Sequence, residues 1–387
     1  MKSHKQTVIL ILFFMTLGQM GTDIYLPSFH SIAIDLHTSI SAVQLSFSVF
    51  MLAFGVSQLI YGPISDRFGR KPLLLFGTGL YCLMSLWISV SSDLNQLIIA
   101  RTLQGLGAGA CSVIPRAIMR DVFSKKDIQR LAIYQSLVWS LIPITAPLIG
   151  GYIQHYFGWR YNFVFLCTIS AIAVLMSLTY KDTLHNKAAE LDMVRIINQY
   201  FNIISNRQYY PPAICAMGII SMLTAFNIAS PILLQSMLGL SSVQYGWVLM
   251  GISISFMIGS FLNRFLADFY CANTIEYIGL LLLVSGSSIF FINAILIHPN
   301  IWSIIIPVTL IQGGASLIFP GCAARVMQLF PNKAGQTAAL FGCSIFLAGT
   351  FTSALVSFFT EKPIHTVAAV FLVISLVMSA FLSKSHR

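Results

Sequence analysis

The chain is dominated by apolar stretches of about 20 residues, the length of helix that crosses ~30 Å of hydrocarbon. Short polar segments separate these stretches. Hydrophobic residues make up 57% of the 387 positions and charged residues only 9%. A soluble domain of this composition could not cover its apolar surface with a polar shell. The sequence therefore predicts an all-α polytopic membrane protein.

Twelve apolar stretches are long enough to span a bilayer, and they form two sets of six. The first set lies near 7–28, 42–62, 73–91, 94–117, 130–152 and 160–180, and the second near 209–235, 243–262, 275–295, 300–324, 335–359 and 364–383. We therefore expect an N-terminal six-helix bundle over 1–180, a cytoplasmic linker over 181–208 and a C-terminal six-helix bundle over 209–387. The N-terminus resembles a signal peptide but lacks a small-residue cleavage site, so we interpret it as the first span.

The distribution of the 22 lysines and arginines predicts the orientation of these spans. Basic residues are retained on the cytoplasmic side of a membrane protein. With the N-terminus inside, only Arg160 and Lys362 fall outside, and Arg101 and Arg116 lie within the fourth span. The basic residues on the cytoplasmic side are Lys2, Lys5, Arg67, Arg70, Lys71, Arg120, Lys125, Lys126, Arg130, Lys181, Lys187, Arg195, Arg207, Arg264, Arg325, Lys333, Lys384 and Arg387. We expect a bacterial-type inner membrane with both termini cytoplasmic. The net charge of +10 then needs no nucleic-acid partner.

The two sets of spans contain a repeated pattern that indicates duplication of a six-helix unit. Three positions recur in the same order, and each has lost its charge in the second set: Asp23 becomes Asn227, Asp66 becomes Asn263, and Arg101 becomes Val308. Ionisable groups at membrane depth are costly and usually serve function. Any proton chemistry is therefore expected in the first bundle.

The loop after the second span carries the strongest local motif, Gly-Pro-Ile-Ser-Asp-Arg-Phe-Gly-Arg-Lys-Pro. It resembles the signature of the major facilitator superfamily, and this resemblance implies a fold of twelve helices in two pseudo-symmetric six-helix bundles. It also implies a conformational latch that holds the two halves together in the outward-facing state. The latch residues would be Gly62, Asp66, Arg67, Gly69, Arg70 and Lys71.

Two charged residues are expected at similar depths in the first bundle. Arg101 lies about seven residues from the end of the fourth span, or ~10 Å, and Asp23 about five residues from the end of the first, or ~8 Å. An ion pair between them is predicted, either as a proton-coupling pair or as a static structural pair. The surrounding Arg-Thr-Leu-Gln-Gly-Leu-Gly-Ala-Gly run resembles the family's fourth-helix signature, which links this arginine to proton transfer.

The fifth span contains Pro143, Pro147, Gly150 and Gly151, which bend a helix and permit close packing. The pattern resembles the antiporter signature of exporters in this superfamily. Ala146 stands where that signature has glycine. Both antiport and inert packing remain open from this motif.

The run Asp-Ile-Tyr-Leu-Pro at 23–27 and the fourth-span motif narrow the resemblance to the Bcr/CflA branch of drug–proton antiporters, which implies multidrug efflux. Aromatic and methionine side chains suit varied amphipathic cargo. Arg116 either faces the cavity or extends to the cytoplasmic surface. The candidate cavity residues are Tyr25, Phe47, Phe50, Met51, Phe54, Gln104, Arg116, Asn227 and Gln235.

The resulting functional hypothesis is a proton-coupled exporter of small amphipathic molecules that works by alternating access. Its partners would be small-molecule cargo, protons and the bilayer, with the monomer as the functional unit. A dedicated exporter of one metabolite, such as a siderophore or sugar, is the alternative, and an uptake symporter ranks third. Hydrolase and nucleotide-binding motifs do not occur, so no enzyme activity, cofactor or metal is expected.

Overall fold

The computed structural model describes residues 2–184, 192–359 and 362–385, and over these residues its regular secondary structure is helical. The helices are α1 (Lys2–Asp23), α2 (Phe29–Asp35), α3 (Ile40–Phe68), α4 (Arg70–Ser89), α5 (Leu94–Val122), α6 (Lys125–Phe157), α7 (Arg160–Thr179), α8 (Met193–Ile204), α9 (Tyr210–Ser230), α10 (Ser242–Leu266), α11 (Ala272–Leu296), α12 (Ile301–Leu329), α13 (Ala334–Phe358) and α14 (Pro363–Ser385).

Eleven helical segments among the described residues are long and apolar enough to cross a membrane. They match the predicted spans except the fifth, where α6 runs for 33 residues in the same bundle. The expected all-α membrane fold is confirmed. One difference lies in the predicted linker, which contains the 12-residue helix α8. The division at 181–208 into two bundles stays a prediction.

The first span is broken directly after Asp23. Pro27 has no N–H with which to bond the carbonyl of Asp23, so the α-helix stops there. A single 3-10 turn, Leu26–Ser28, follows, and α2 resumes the span. The proline therefore places the acidic residue at the end of a helix.

The seventh span is broken at the equivalent place. Pro231 follows Asn227 by four residues, and the backbone widens into a π-helix over Pro231–Met237. The hydroxyl of Ser230 donates to the Asn227 carbonyl at 3.1 Å. The predicted repeat thus includes a proline four residues after each of the aligned residues Asp23 and Asn227, with the regular α-helix interrupted at or before that proline.

Two seams join the first-half helices α1–α7 to the second-half helices α9–α14. In one, α3 packs along α13, and in the other, α6 packs along α10. Two ends of the molecule can be distinguished. We call the end that holds the α3–α4 turn at Gly69 the basic end, and the end that holds the 3-10 turn Leu26–Ser28 the opposite end. The sequence predicts that the basic end is cytoplasmic.

At the basic end of each half, an ion pair joins the start of one helix to the end of a neighbouring helix. The acidic and basic partners are exchanged between the two halves. Arg70, at the start of α4, binds Asp121 of α5 at 2.9 Å. Glu276, near the start of α11, binds Arg325 of α12 at 2.7 Å. The two halves therefore share the position of this ion pair, but the acidic residue lies at the helix end in the first half and at the helix start in the second.

Close helix packing within the first half depends on glycine. A Cβ atom on Gly77 of α4 would lie 2.1 Å from the Cβ of Ala110 in α5. Gly79, one half-turn away on the same helix, has open space around its Cα.

This difference makes a matched test of the α4–α5 contact. Gly77→Ala should destabilise the protein by about 1–3 kcal/mol, because the overlap forces the helices apart. Gly79→Ala should be neutral or stabilising by up to ~1 kcal/mol, since alanine favours helix. Thermal unfolding in detergent measures both, and equal melting temperatures would contradict the packing argument.

Candidate functional site: a buried charged centre between the two halves

Arg101 is the largest fully buried side chain in the part of the chain that the structure describes. Aromatic rings from three other helical segments surround its guanidinium: Cζ lies 4.1 Å from the ring centroid of Phe50, 4.4 Å from Tyr25 and 5.9 Å from Phe163. The negative faces of aromatic rings attract a desolvated cation. We call Arg101 with these three rings the arginine cage.

Polar support for the cage comes from the next turn of α5. An Nη of Arg101 donates to the Gln104 side chain at 2.6 Å, and Gln104 in turn donates to the hydroxyl of Ser85 at 2.7 Å. Nε and the second Nη of Arg101 have no hydrogen-bond partner within the described residues. Burying donors without an acceptor is costly, and the surrounding aromatic rings offset part of that cost.

Asp23 is also buried, with 3% of its surface exposed. Its carboxylate accepts from the Thr22 hydroxyl at 2.9 Å and from the Gln19 amide at 3.2 Å. Both donors are neutral and belong to the same helix.

The predicted ion pair between Asp23 and Arg101 is wrong for this conformation. Among the described residues no ion pair joins them, and each side chain has the other partners described above. Similar depth did not bring them together, because the aromatic rings of Tyr25 and Phe50 stack on the guanidinium.

The helix break after Asp23 is clamped by the glycines of α6. A Cβ on Gly150 would come within 1.7 Å of the carbonyl oxygen of Ile24, and one on Gly151 within 2.4 Å of the carbonyl oxygen of Ser242. Gly150 thus touches the residue after Asp23, while Gly151 touches the first residue of α10. These two glycines bring α6 into close contact with both the α1 break and the start of α10.

The rest of the predicted helix-5 motif packs on the same seam. The carbonyl of Pro143 accepts from Ser253 of α10 at 3.1 Å. The carbonyl of Pro147 lies 2.9 Å from where a Cβ of Gly246 would stand. The prolines and glycines on α6 therefore all face α1 or α10.

Hydrogen bonds close the opposite end across the two halves. The Gln44 amide donates to the carbonyl of Ile228 at 2.7 Å, and the Gln235 amide donates to the carbonyl of Pro27 at 2.9 Å. Both carbonyls lie beside a helix break. Each half thus donates a side-chain hydrogen bond to the backbone near the broken helix of the other.

Arg116 lies nearer the basic end and points inward. It donates to the Gln58 side chain of α3 at 3.1 Å and to the Ser112 hydroxyl at 2.8 Å. Gln58 lies close to Gly342 of α13, since its Oε1 is 2.4 Å from where a Cβ of that glycine would stand. Of the two placements left open by the sequence, the structure shows the inward one.

The family model described as Major Facilitator Superfamily matches residues 8–226. The chain belongs to the Major Facilitator Superfamily. This membership confirms the resemblance that the α3–α4 motif suggested.

Among the relatives of this superfamily member is "Multidrug resistance protein D" of Escherichia coli, 28% identical over 87% of this chain and 84% of that protein. Another is the "Bicyclomycin resistance protein homolog" of Haemophilus influenzae, 28% identical over 100% of this chain and 99% of that protein. The fold resembles the crystal structure of a D-xylose-proton symporter, with a TM-score of 0.73, 14% identity, and 97% of both chains covered.

The superfamily's loop motif lies at the basic end and is held within the first half. Arg70 binds Asp66 at 2.6 Å and Asp121 at 2.9 Å, and its backbone N–H donates to Asp182 at 3.1 Å. Gly69 has φ = 106°, a conformation that favours glycine. Lys71 donates to the carbonyl of Leu178, and Arg67 stacks on Phe68. The cross-half latch stays a prediction.

Among the nine predicted cavity residues, Arg116 is described above, and Phe47 and Met51 are buried in the apolar core. The other six divide into three groups. Tyr25, Phe50 and Gln104 are fully buried against Arg101. Phe54 bridges the halves, with its ring centroid 4.5 Å from that of Phe346. Asn227 and Gln235 are half-buried at the seventh-span break. Their role in binding cargo stays a prediction.

Sequence reasoning missed Phe163, Ser85 and Ser353 as parts of this centre. Phe163 completes the arginine cage, and the hydroxyl of Ser353 in α13 is 2.6 Å from that of Ser48 in α3. Phenylalanine and serine are common along the chain, so the sequence contains no local signal that marks these three. Their positions follow only from helix packing.

The cage predicts that arginine cannot be replaced by lysine at position 101. Arg101→Lys keeps the charge but loses the planar group that stacks on rings and bonds Gln104. We expect a loss of about 2–4 kcal/mol in stability, from a desolvated cation–π contact and a charged hydrogen bond.

The matched control is Arg67→Lys, where the cation stacks on exposed Phe68 at 5.3 Å. That change should cost under ~1 kcal/mol, because an exposed contact of this type is weak. Denaturation in detergent gives both values. Equal losses of stability at the two positions would show that the arginine cage stabilises its cation no more than an exposed ring does.

Proposed function

We propose that this protein is a proton-coupled exporter of small amphipathic molecules, operating as a drug/proton antiporter in a bacterial-type inner membrane with both termini cytoplasmic. One observation supports the coupling above others: a buried carboxylate, Asp23, lies one residue before the carbonyl on which Gly150 packs. The names of relatives that match over most of their length support drugs as the cargo.

The charge on Asp23 controls the stability of the closed opposite end. A carboxylate held away from water by neutral donors alone is costly to keep ionised. Protonation removes that cost and favours the arrangement in which the α1 break is packed against Gly150. Deprotonation favours an arrangement in which Asp23 reaches water and the break moves away.

The transport cycle follows from this preference. When the opposite end is open, Asp23 takes a proton from the more acidic side and the end closes. The cavity then faces the basic end, where cargo enters and the proton leaves. The ionised carboxylate no longer favours closure, so the opposite end opens and releases cargo. The Nε and second Nη of Arg101 would donate hydrogen bonds to a water molecule or to a polar group of the cargo.

The driving force is sufficient for uphill export. One pH unit is worth ~1.4 kcal/mol per proton, and 100 mV acting on one charge is worth ~2.3 kcal/mol. One-to-one exchange of a neutral cargo could therefore sustain a gradient of several hundredfold.

An exporter dedicated to one metabolite is the second candidate. The closely packed aromatic side chains of Tyr25, Phe50 and Phe54 favour varied apolar cargo over a single polar one. A panel of dyes, antibiotics and iron chelators, presented to the same reconstituted vesicles, separates the two functions. Transport of one compound alone would favour the dedicated exporter.

Asp23→Asn tests the proton carrier directly. The amide keeps the shape and cannot ionise, so uphill transport driven by an imposed pH gradient should fall to the level of protein-free vesicles. Cargo binding should persist, because the neutral side chain favours the same closed conformation. Transport and ligand binding are measured in proteoliposomes and in detergent, respectively.

The matched control is Asp93→Asn, in which an exposed carboxylate caps α5 by accepting from the Gln96 backbone at 2.9 Å. Asparagine caps equally well, so transport should match the native protein. Undiminished proton-driven accumulation in Asp23→Asn would remove Asp23 from the mechanism.

Gly151→Ala tests the transmission between the halves. The added methyl group would meet the Ser242 carbonyl, so the closed opposite end should be destabilised and turnover should fall about tenfold or more, as misplacement of packed elements does. Gly251→Ala in α10 meets open space and should retain normal turnover. Equal turnover in both variants would contradict transmission through this contact.

A further inference from the structure

The helix α8, in the segment between the two halves, exposes an unusual amount of apolar surface. Val194 is 69% exposed, Ile197 60%, Phe201 67% and Ile204 40%. At 3.6 residues per turn these four side chains lie within an arc of about 80°. Such an apolar stripe on a short, water-facing linker helix needs something to cover it.

A second face of α8 packs on the protein and spans both halves. The Tyr200 hydroxyl donates to the carbonyl of Leu59 in α3 at 2.9 Å, and Gln199 accepts from Gln336 of α13 at 3.2 Å. Ile203 is fully buried. Burial raises the pKa of Tyr200 to about 12, as expected for a hydroxyl held against the bundle.

The third face is polar and exposed. Arg195, Asn198 and Asn202 lie within an arc of about 60°. The protein face, the apolar stripe and this polar face are therefore about 120° apart around the helix. A helix with three such faces fits a site where protein, hydrocarbon and water meet.

The position of α8 on the bundle matches that site. Leu59 lies near the end of the apolar part of α3, and exposed apolar residues of the same helix, Ile60 at 46% and Phe68 at 52%, continue the lipid-facing surface beside it. The basic side chains of Arg195 and Arg207 are exposed near the stripe. Anionic headgroups attract such cations.

We propose that α8 is a membrane-interfacial helix whose stripe of Val194, Ile197, Phe201 and Ile204 inserts into the bilayer surface beside the α3–α13 seam. Amphipathic helices bind this boundary by burying an apolar face just below the headgroups. The occupant of the stripe is lipid because the same helix is hydrogen-bonded through Tyr200 to the membrane-spanning helix α3, next to exposed Ile60. A helix bound to lipid and to both halves also links the seam to the surrounding membrane.

Quenching by brominated lipids tests this proposal on the full chain. Ile197→Trp places a fluorophore on the stripe, and Asn202→Trp places one on the polar face. Each variant is reconstituted at a high lipid-to-protein ratio in phosphatidylcholine–phosphatidylglycerol vesicles, brominated near the headgroup end of the acyl chains. Emission of the five native tryptophans is subtracted with the native protein.

The added emission of Ile197→Trp should be largely lost in brominated vesicles, and that of Asn202→Trp should be retained. Val194→Trp provides a second stripe position should the first variant fold poorly. Retention of emission at both stripe positions would overturn the proposal, as would equal loss on the polar face. If the loss of emission disappears as the protein-to-lipid ratio rises, a second copy of the chain covers the stripe. That result would also overturn the proposal.

Discussion

The central constraint in this protein is the cost of placing charge in a low-dielectric interior. The charge of Arg101 is stabilised by aromatic faces and a neutral amide rather than by a carboxylate. Asp23 is left with neutral donors, so its ionisation is coupled to whether water can reach it. In the proposed cycle, the arrangement of helices around the α1 break determines when water reaches Asp23.

The second half complements this centre without charges of its own. Asn227 and Val308 stand at the positions aligned with Asp23 and Arg101. The contribution of the second half is geometric: its helix break offers the Ile228 carbonyl to Gln44, and its Gln235 bonds the Pro27 carbonyl. Paired helix breaks, each satisfied by the other half, hold the opposite end closed.

Much of this architecture could be predicted from the sequence, because apolar length defines spans. The breaks near Pro27 and Pro231 were not predicted, since other prolines such as Pro63 lie inside continuous helices. The motifs around Asp66, Arg101 and Gly150 also indicated the family. The pairing of Asp23 with Arg101 was wrong, since depth along a helix says nothing about which way a side chain points. Phe163 and α8 were missed because cage closure and a three-faced helix arise from packing between distant segments.

The location of every aligned mid-membrane charge in one half has a consequence for how such a protein can diverge. Substitutions on the inner surfaces of α9 and α12 reshape the space between the halves while leaving Asp23, Arg101 and their supports untouched. Under the proposed mechanism, the proton-coupling residues lie in the first half, and both halves contribute side chains that contact cargo. Changes in the second half would then alter the accepted cargo without altering Asp23 or Arg101.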